Sequence, residues 1–175
     1  KKYSAVGEMT EFAKAYAGAM SQIAGHRVIV TDRDKIIAIA GGLKKDLMEK
    51  KITKQLETVM EERYGVDSKK TGKIIEVAEG VSLEVRQQII YPIICDSDVA
   101  GAVIIFDQEN SLSDTENKIA GVAAAFLGKQ IGGWNWKLGE KSRLYAKFLD
   151  KSGKNIYKYG YGYWTEKKQP KVIMY

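Results

Sequence analysis

Few side chains in this sequence are of types that carry acid–base or nucleophilic chemistry. His26 is its only histidine and Cys95 its only cysteine. A general base needs a partner that orients it, and the sequence suggests none for His26. A lone histidine and a lone cysteine form a zinc site only if carboxylates join them, and no such cluster has the required spacing. The pattern favours structural roles for both, with Cys95 as a small core residue and a redox-sensing thiol as its alternative.

Two short motifs each allow a chemical and a structural interpretation. Gly41-Gly42 would cradle a phosphate if a helix began directly after it, near Lys44 and Lys45. The flanking sequence is not a Walker loop or a dinucleotide fingerprint, which favours a turn that needs positive φ. Asp32 and Asp34 suit an acid pair or a metal clip, but in a hairpin loop they more simply cap their own backbone. We therefore expect no catalytic residue, no metal and no cofactor.

The composition changes near residue 131. Residues 132–175 contain 10 Lys and Arg against 3 Asp and Glu, whereas residues 1–131 contain 18 against 19. Six of the ten Tyr and all three Trp also lie after residue 131. We expect a neutral domain over residues 1–131 and a basic, aromatic-rich tail over 132–175, as a small β module or a non-native extension. The tail segments that alternate as strands do are 145–150, 155–164 and 171–175.

Amphipathic helices are predicted at both ends of the first segment. Residues 5–24 and 111–131 carry apolar side chains at the spacing that lines one helix face. Ser113 and Glu116 form the capping-box pattern at the start of the second helix. Apolar stripes wider than one sheet needs indicate a self-association surface. The interface residues predicted from these stripes are Phe12, Tyr16, Met20, Ile119, Val122 and Phe126.

The residues between these helices predict an antiparallel sheet with an insertion. Apolar runs around Asp-rich turns indicate hairpins at residues 27–40 and 85–106. Because Pro92 cannot donate to a ladder, we expect a sheet edge, a bulge, or both beside it. The insertion is predicted to contain helices at residues 43–51 and 53–64, a loop at 65–72 and a strand at 74–78.

This order of elements predicts an α+β fold. The N- and C-terminal helices would pack on one face of the antiparallel sheet, and the helical insertion would cover the other.

Several phrases in the sequence resemble a known family. Those similar to a GAF domain are VIVTDRD with IIAIAG, and YPII with VAGAVIIF, within residues 28–41 and 91–106. More narrowly, residues 1 to about 131 resemble the C-terminal regulatory domain of the stage V sporulation protein T family. The phrases that carry this second resemblance are EFAKAYA, GHRV and AAAFLGKQ, at residues 11–17, 25–28 and 123–130. Residues 132–175 match nothing in that family.

The resemblance implies a regulatory domain of a bacterial sporulation transcription factor, not an enzyme. The family's DNA-binding domain would be absent from this chain, so DNA is expected as a partner only through that missing N-terminal domain. The terminal helices would join subunits into a dimer or tetramer.

The resemblance also implies a small-molecule site between sheet and insertion, for a ligand that the family does not identify. The residues predicted to line this site are Met60, Tyr64, Arg86 and Tyr91, with Arg86 orienting an anion. The structural alternatives are core packing for Met60 and Tyr64 and solvent exposure for Arg86.

No apolar run approaches the ~20 residues that span a bilayer, and no signal peptide is visible. We therefore expect a cytoplasmic location and no membrane partner. Two other functions stay open. GAF-like folds can host redox or hydrolytic chemistry, which would make the chain a small enzyme that depends on Cys95. The cations and rings of residues 132–175 would suit a nucleic-acid-binding module.

Overall fold

The computed structural model describes the backbone of residues 5–145 and the side chains of residues 10–131. Contacts within the chain divide it into two units, Lys1–Gly132 and Gly133–Tyr175. The elements in chain order are α1 (Ala5–Ala24), β1 (Arg27–Thr31), β2 (Ile36–Ala40), a 3-10 turn (Lys45–Leu47), α2 (Lys54–Glu61), β3 (Val66–Asp67), α3 (Ser68–Thr71), β4 (Gln87–Cys95), β5 (Asp98–Asp107) and α4 (Asp114–Tyr145).

The five strands form one antiparallel sheet in the order β2-β1-β5-β4-β3. Both predicted hairpins are present. In the first turn, the Asp32 carboxylate accepts hydrogen bonds from the backbone amides of Asp34 and Lys35, at 2.8 and 2.7 Å. In the second turn, Asp96 and Ser97 take left-handed φ values of 47° and 73°. Asp32 therefore caps the backbone of its own loop, as expected.

Pro92 lies where β4 becomes an outer strand. The short β3 pairs with β4 only at Ile89 and Ile90, and the register of β4 against β5 shifts between Ile93 and Ile94. The prediction of an edge and an irregularity beside this proline is confirmed, because a proline nitrogen cannot donate to a neighbouring strand.

The sheet carries one apolar layer on each face, because successive side chains of a strand point to opposite faces. Ile89, Val103 and Ile105 belong to the helix layer, in which they pack with α1 and α4. Ile90, Ile104 and Phe106 belong to the insertion layer, in which they pack with α2 and the segments around it. This is the predicted arrangement of layers.

The insertion differs from its predicted elements. The helix predicted at residues 43–51 is a 3-10 turn of three residues, and the loop predicted at 65–72 contains β3 and α3. The predicted strand at 74–78 contributes a single bridge, between Ala78 and Ile52. The helix predicted at 53–64 is present as α2 with Thr53 as its N-cap, and the Thr53 hydroxyl accepts a hydrogen bond from the amide of Leu56.

The last helix is longer than predicted. α4 continues past residue 131 and reaches Tyr145, so residues assigned to the start of the tail are helical. The strands predicted in the tail lie outside the described residues. Within residues 5–145, no helix carries an apolar stretch of the length needed to cross a bilayer.

Candidate functional site

The two terminal helices bury small residues against the sheet. Ala13 and Ala17 of α1, and Ala120 and Ala124 of α4, are at most 2% exposed. Gly128 lies so close to the sheet that a Cβ on it would overlap the carbonyl group of Ile94. Because these side chains are small, the helix backbones lie close to the strands, and several larger apolar residues of both helices are left at the sides of the buried stripe.

Those larger residues form a strip along both helices, which we call the helix face. Helical spacing puts three residues of each helix on one side: Phe12, Tyr16 and Ile23 of α1, and Ile119, Val122 and Phe126 of α4. The rings of Tyr16 and Phe126 lie with centroids 5.0 Å apart, so the strips of α1 and α4 adjoin. The exposed members are Phe12 (38%), Ile23 (79%), Val122 (70%) and Phe126 (40%). Adjacent apolar side chains left this open on a domain are typical of an interaction surface.

The predicted interface residues fall into two groups. Phe12, Val122 and Phe126 are exposed on the helix face, and Tyr16 and Ile119 are half-buried beside it. Met20 is only 4% exposed and belongs to the helix layer of the chain's own core. The structure thus corrects the placement of Met20, which lies 80° around α1 from Phe12 at 100° per residue. Ile23, absent from the predicted interface, is the most exposed of these side chains.

The predicted ligand residues do not converge on one pocket. Met60 is buried in the insertion layer, where its sulfur lies 4.0 Å from the hydroxyl of Thr31. Tyr64, just beyond α2, is 58% exposed. Tyr91 points into the helix layer, on the other face of the sheet from Met60, because it alternates with Ile90.

Arg86 lies just before the start of β4, whereas Tyr91 lies at the middle of that strand. Its guanidinium donates to the carbonyl of Glu109 at 2.5 Å, and its side chain is exposed. Five strand positions separate Arg86 from Tyr91, about 16 Å along the strand. Met60 and Tyr64 therefore share α2 and its end, and the structure brings neither Arg86 nor Tyr91 into the same site on that side of the sheet.

A buried acid–base pair lies where α1 enters the sheet and β5 leaves it. His26 Nδ1 and Asp107 Oδ2 are 2.7 Å apart, and their side chains are 12% and 5% exposed. Burial alone would raise the pKa of Asp107. The amide of Asn110, the ring of His26 and the amide of Glu109 outweigh that effect and hold the pKa of this carboxyl well below its ordinary value.

Sequence reasoning missed this partner of His26. The two residues are 81 positions apart, and no local spacing signals the contact. A buried histidine oriented by a carboxylate resembles half of a catalytic triad, but catalysis also needs a nucleophile within reach.

Cys95 is not that nucleophile. It pairs with Asp98 at the opposite end of the β4–β5 hairpin from Asp107, which pairs with Gln87. Eight strand positions separate these ends, about 27 Å. Burial and the carboxylate of Asp96 raise the pKa of the Cys95 thiol, which disfavours the reactive thiolate. Among the described residues, no three His, Cys, Asp or Glu side chains are grouped to hold a metal ion.

Comparison with known proteins gives the family. Residues 8–132 match the family described as stage V sporulation protein T C-terminal, transcription factor. Over 131 residues the chain is 36% identical to stage V sporulation protein T of Bacillus subtilis (strain 168). The aligned region covers 75% of this chain and 73% of that protein.

Solved structures agree on the fold. The GAF domain of an Acinetobacter phosphoenolpyruvate-protein phosphotransferase is similar with a TM-score of 0.58 and 11% identity, over 73% of this chain and 84% of that one. The PixJ GAF domain of Thermosynechococcus elongatus, in its blue-light absorbing form, has a TM-score of 0.57 and 13% identity, over 81% of this chain and 97% of that one. The predicted α+β, GAF-like fold is confirmed.

Proposed function

This chain belongs to the stage V sporulation protein T C-terminal family, a family of transcription factors, and we propose that it is a ligand-sensing, self-associating regulatory domain. The observation that carries the proposal is that the two faces of the sheet are covered by different kinds of structure. One face supports two long helices with an open apolar strip, and the other supports short elements around α2.

Self-association is proposed through the helix face. Exposed Val122 and Phe126 of one copy would pack against the same strip of a second copy, because symmetric dimers use one self-complementary surface. The terminal helices would then set the spacing of DNA-binding domains joined to them, and DNA would be contacted only through those domains. Such a regulator would work in the cytoplasm, without a membrane partner.

Cross-linking tests this interface. A Val122→Cys variant of the full chain is treated with a short bismaleimide, and Ala125→Cys is the matched control. Ala125 is exposed on the same turn of α4 but lies 60° around the helix, away from the strip. Native Cys95 is buried, so the unmodified chain serves as the blank. We expect a covalent dimer from Val122→Cys in clear excess over the control; equal yields would contradict the interface.

Ligand binding is proposed beside α2. The buried Met60 would lie beneath a small molecule and the exposed Tyr64 at its rim, while Arg86 would contact an anion only at a separate place along β4. A ligand that prefers one arrangement of the insertion would shift the population of the domain toward it.

Thermal unfolding with a panel of cytosolic metabolites tests this site. We expect at least one compound to raise the midpoint of the wild-type chain, because binding to the folded state adds stability. Tyr64→Ala should reduce that shift, and Glu61→Ala, at an exposed position on α2, should preserve it. A panel without any shift would argue for a purely structural domain.

The enzyme alternative has little physical support in the described residues, since Cys95 and His26 lie at opposite ends of the sheet. The nucleic-acid alternative depends on residues 132–175. Deleting them should leave salt-sensitive nucleic-acid binding unchanged if the tail has no part in it, and should abolish such binding if the alternative is right.

A further inference from the structure

Tyr91 is held by α4 from one side. Its hydroxyl donates to the side-chain oxygen of Asn117 at 2.6 Å. One turn further along α4, a Cβ on Gly121 would lie 3.2 Å from Cε1 of the Tyr91 ring. The ring therefore rests on the first turns of α4 with a polar contact at its tip and a close apolar contact on its edge.

The insertion also contacts the Tyr91 ring, through Gly65. A Cβ on Gly65, which connects α2 to β3, would overlap the ring of Tyr91. Gly65 is not among the glycines with positive φ, so its backbone conformation is open to other residues. Space for the Tyr91 ring is therefore the reason that the structure gives for a glycine at this position.

Gln87 makes a second connection of the same kind. It lies four residues before Tyr91 on β4, so both side chains leave the strand on the same face. Its side-chain nitrogen donates to the carboxylate of Asp67 in β3 at 3.2 Å. Its side-chain oxygen accepts from the amide of Leu112, just before α4, at 2.8 Å. One buried side chain thus joins the insertion to the entry of the last helix.

We propose that Gln87 and Tyr91 are the coupling residues through which the segment Gly65–Asp67 and the start of α4 fix each other's position. Both side chains belong to a hydrogen-bonded strand, which limits their movement. If either side chain moved with the segment Gly65–Asp67, its contact with the start of α4 would change, and the reverse also holds. Since Gly65 directly follows Tyr64 and lies four residues beyond the last residue of α2, a ligand that moves this end of α2 would alter α4 through these contacts. That last consequence rests on the proposed ligand sensing; the coupling itself does not.

Hydrogen exchange read by mass spectrometry tests the coupling in the full chain without any ligand. Gly65→Ala adds a methyl group where the Tyr91 ring lies. We expect faster exchange in residues 63–67 and also, by about tenfold, in residues 114–121 of α4, the factor that corresponds to ~1.4 kcal/mol of lost local stability. Gly18→Ala is the matched control, because a Cβ there meets nothing within 4 Å.

A second pair of variants shows whether the effect passes through these side chains. In a Tyr91→Ala background, Gly65→Ala should no longer change exchange in α4. Coupling is reciprocal, so Gly121→Ala, a milder crowding of the same ring, should change exchange in residues 63–67. Gln87→Met, which removes both hydrogen bonds at similar size, should speed exchange in both segments.

The outcomes separate the coupling from the sensing proposal. If Gly65→Ala does not fold, Gly121→Ala carries the test alone. Changes confined to the mutated segment in both glycine variants would overturn the coupling, whatever the metabolite panel shows. If the coupling is observed and no metabolite shifts the unfolding midpoint, the coupling stands and the proposed ligand sensing is rejected.

Discussion

The two faces of the sheet are covered by different kinds of structure. The helix side has α1 and the first part of α4, in which most backbone hydrogen bonds form within the helix itself. The insertion side has elements of two to eight residues, tied to the sheet by individual contacts such as those of Gln88 in β4 with Ile75 and Ser68. The contrast teaches that one sheet can be covered by continuous helices on one face and by short elements held through individual side-chain contacts on the other.

The largest expected effect tests the packing of the helix side. Leu127→Ala removes a side chain that is 1% exposed in the helix layer, and it should lower the free energy of unfolding by about 2–5 kcal/mol through lost burial and a cavity. Val122→Ala, on the same helix at 70% exposure, is the control and should cost under about 0.5 kcal/mol in the monomer. Urea unfolding followed by circular dichroism measures both, at protein concentrations low enough to exclude association. Equal losses would mean that α4 is not seated as described.

The next effect concerns the His26–Asp107 pair, between the end of α1 and the end of β5. Asp107→Asn keeps the shape of the side chain but removes the charge beside His26, and it should cost about 1–3 kcal/mol at neutral pH.

The pH dependence of that cost has a definite sign. Folding lowers the pKa of Asp107 from its ordinary 3.8, so its contribution is present above that value and is lost as pH falls below it. The difference between wild type and Asp107→Asn in urea unfolding should therefore shrink from pH 5 to pH 3. A difference that stays constant over this range would contradict the lowered pKa.

A smaller effect compares one cap on each side. Ser113→Ala removes the hydroxyl that accepts from the amide of Thr115 at the start of α4. Thr53→Ala removes the cap of α2 and also the bond to the carbonyl of Glu76. Each should cost about 1 kcal/mol.

The two caps should differ in the extent of the loosened region. Hydrogen exchange should increase only in the first turn of α4 for Ser113→Ala. For Thr53→Ala it should increase in α2 and in residues 74–78 together. Thr58→Ala, an exposed threonine within α2, is the control for the second variant. A purely local response to Thr53→Ala would remove the distinction between the two sides.

The smallest effect lies on the surface of the insertion. The ammonium of Lys51 and the carboxylate of Glu79 are 3.5 Å apart, with side chains 66% and 52% exposed. Lys51→Ala should therefore change the free energy of unfolding by less than about 0.5 kcal/mol, and the change should vanish at high salt. A larger, salt-independent loss would show that the bridge between this segment and residue 35 depends on the lysine side chain.

The same contrast decides what the sequence could predict. The terminal helices and both hairpins follow from local signals: apolar periodicity, the capping box at Ser113, and the turn residues Asp32 to Asp34 and Asp96 to Asp98. The first hairpin has the expected ends, Arg27 and Ala40, and the second ends at Asp107, one residue beyond the expected position. Thr53 as an N-cap was likewise readable, because capping is a local interaction.

The insertion could not be read in this way because distant residues set its structure. The Ile75 backbone is bound by the side chain of Gln88, and Ser68 accepts from the amide of the same residue. Neither contact has a local signature. The carboxylate partner of His26 and the bridging role of Gln87 were missed for the same reason. Tyr91 was assigned to the ligand side although its alternation with Ile90 places it on the helix side.

The central claim is that the helix face joins copies of this chain, and the solution mass of the full chain tests it most directly. Light scattering at micromolar concentration should give a dimer or tetramer for the wild-type chain and for Ala125→Glu, and a monomer for Val122→Glu, because a buried unpaired charge at the strip opposes association. A monomeric wild-type chain, or a Val122→Glu variant with the wild-type mass, would contradict the claim.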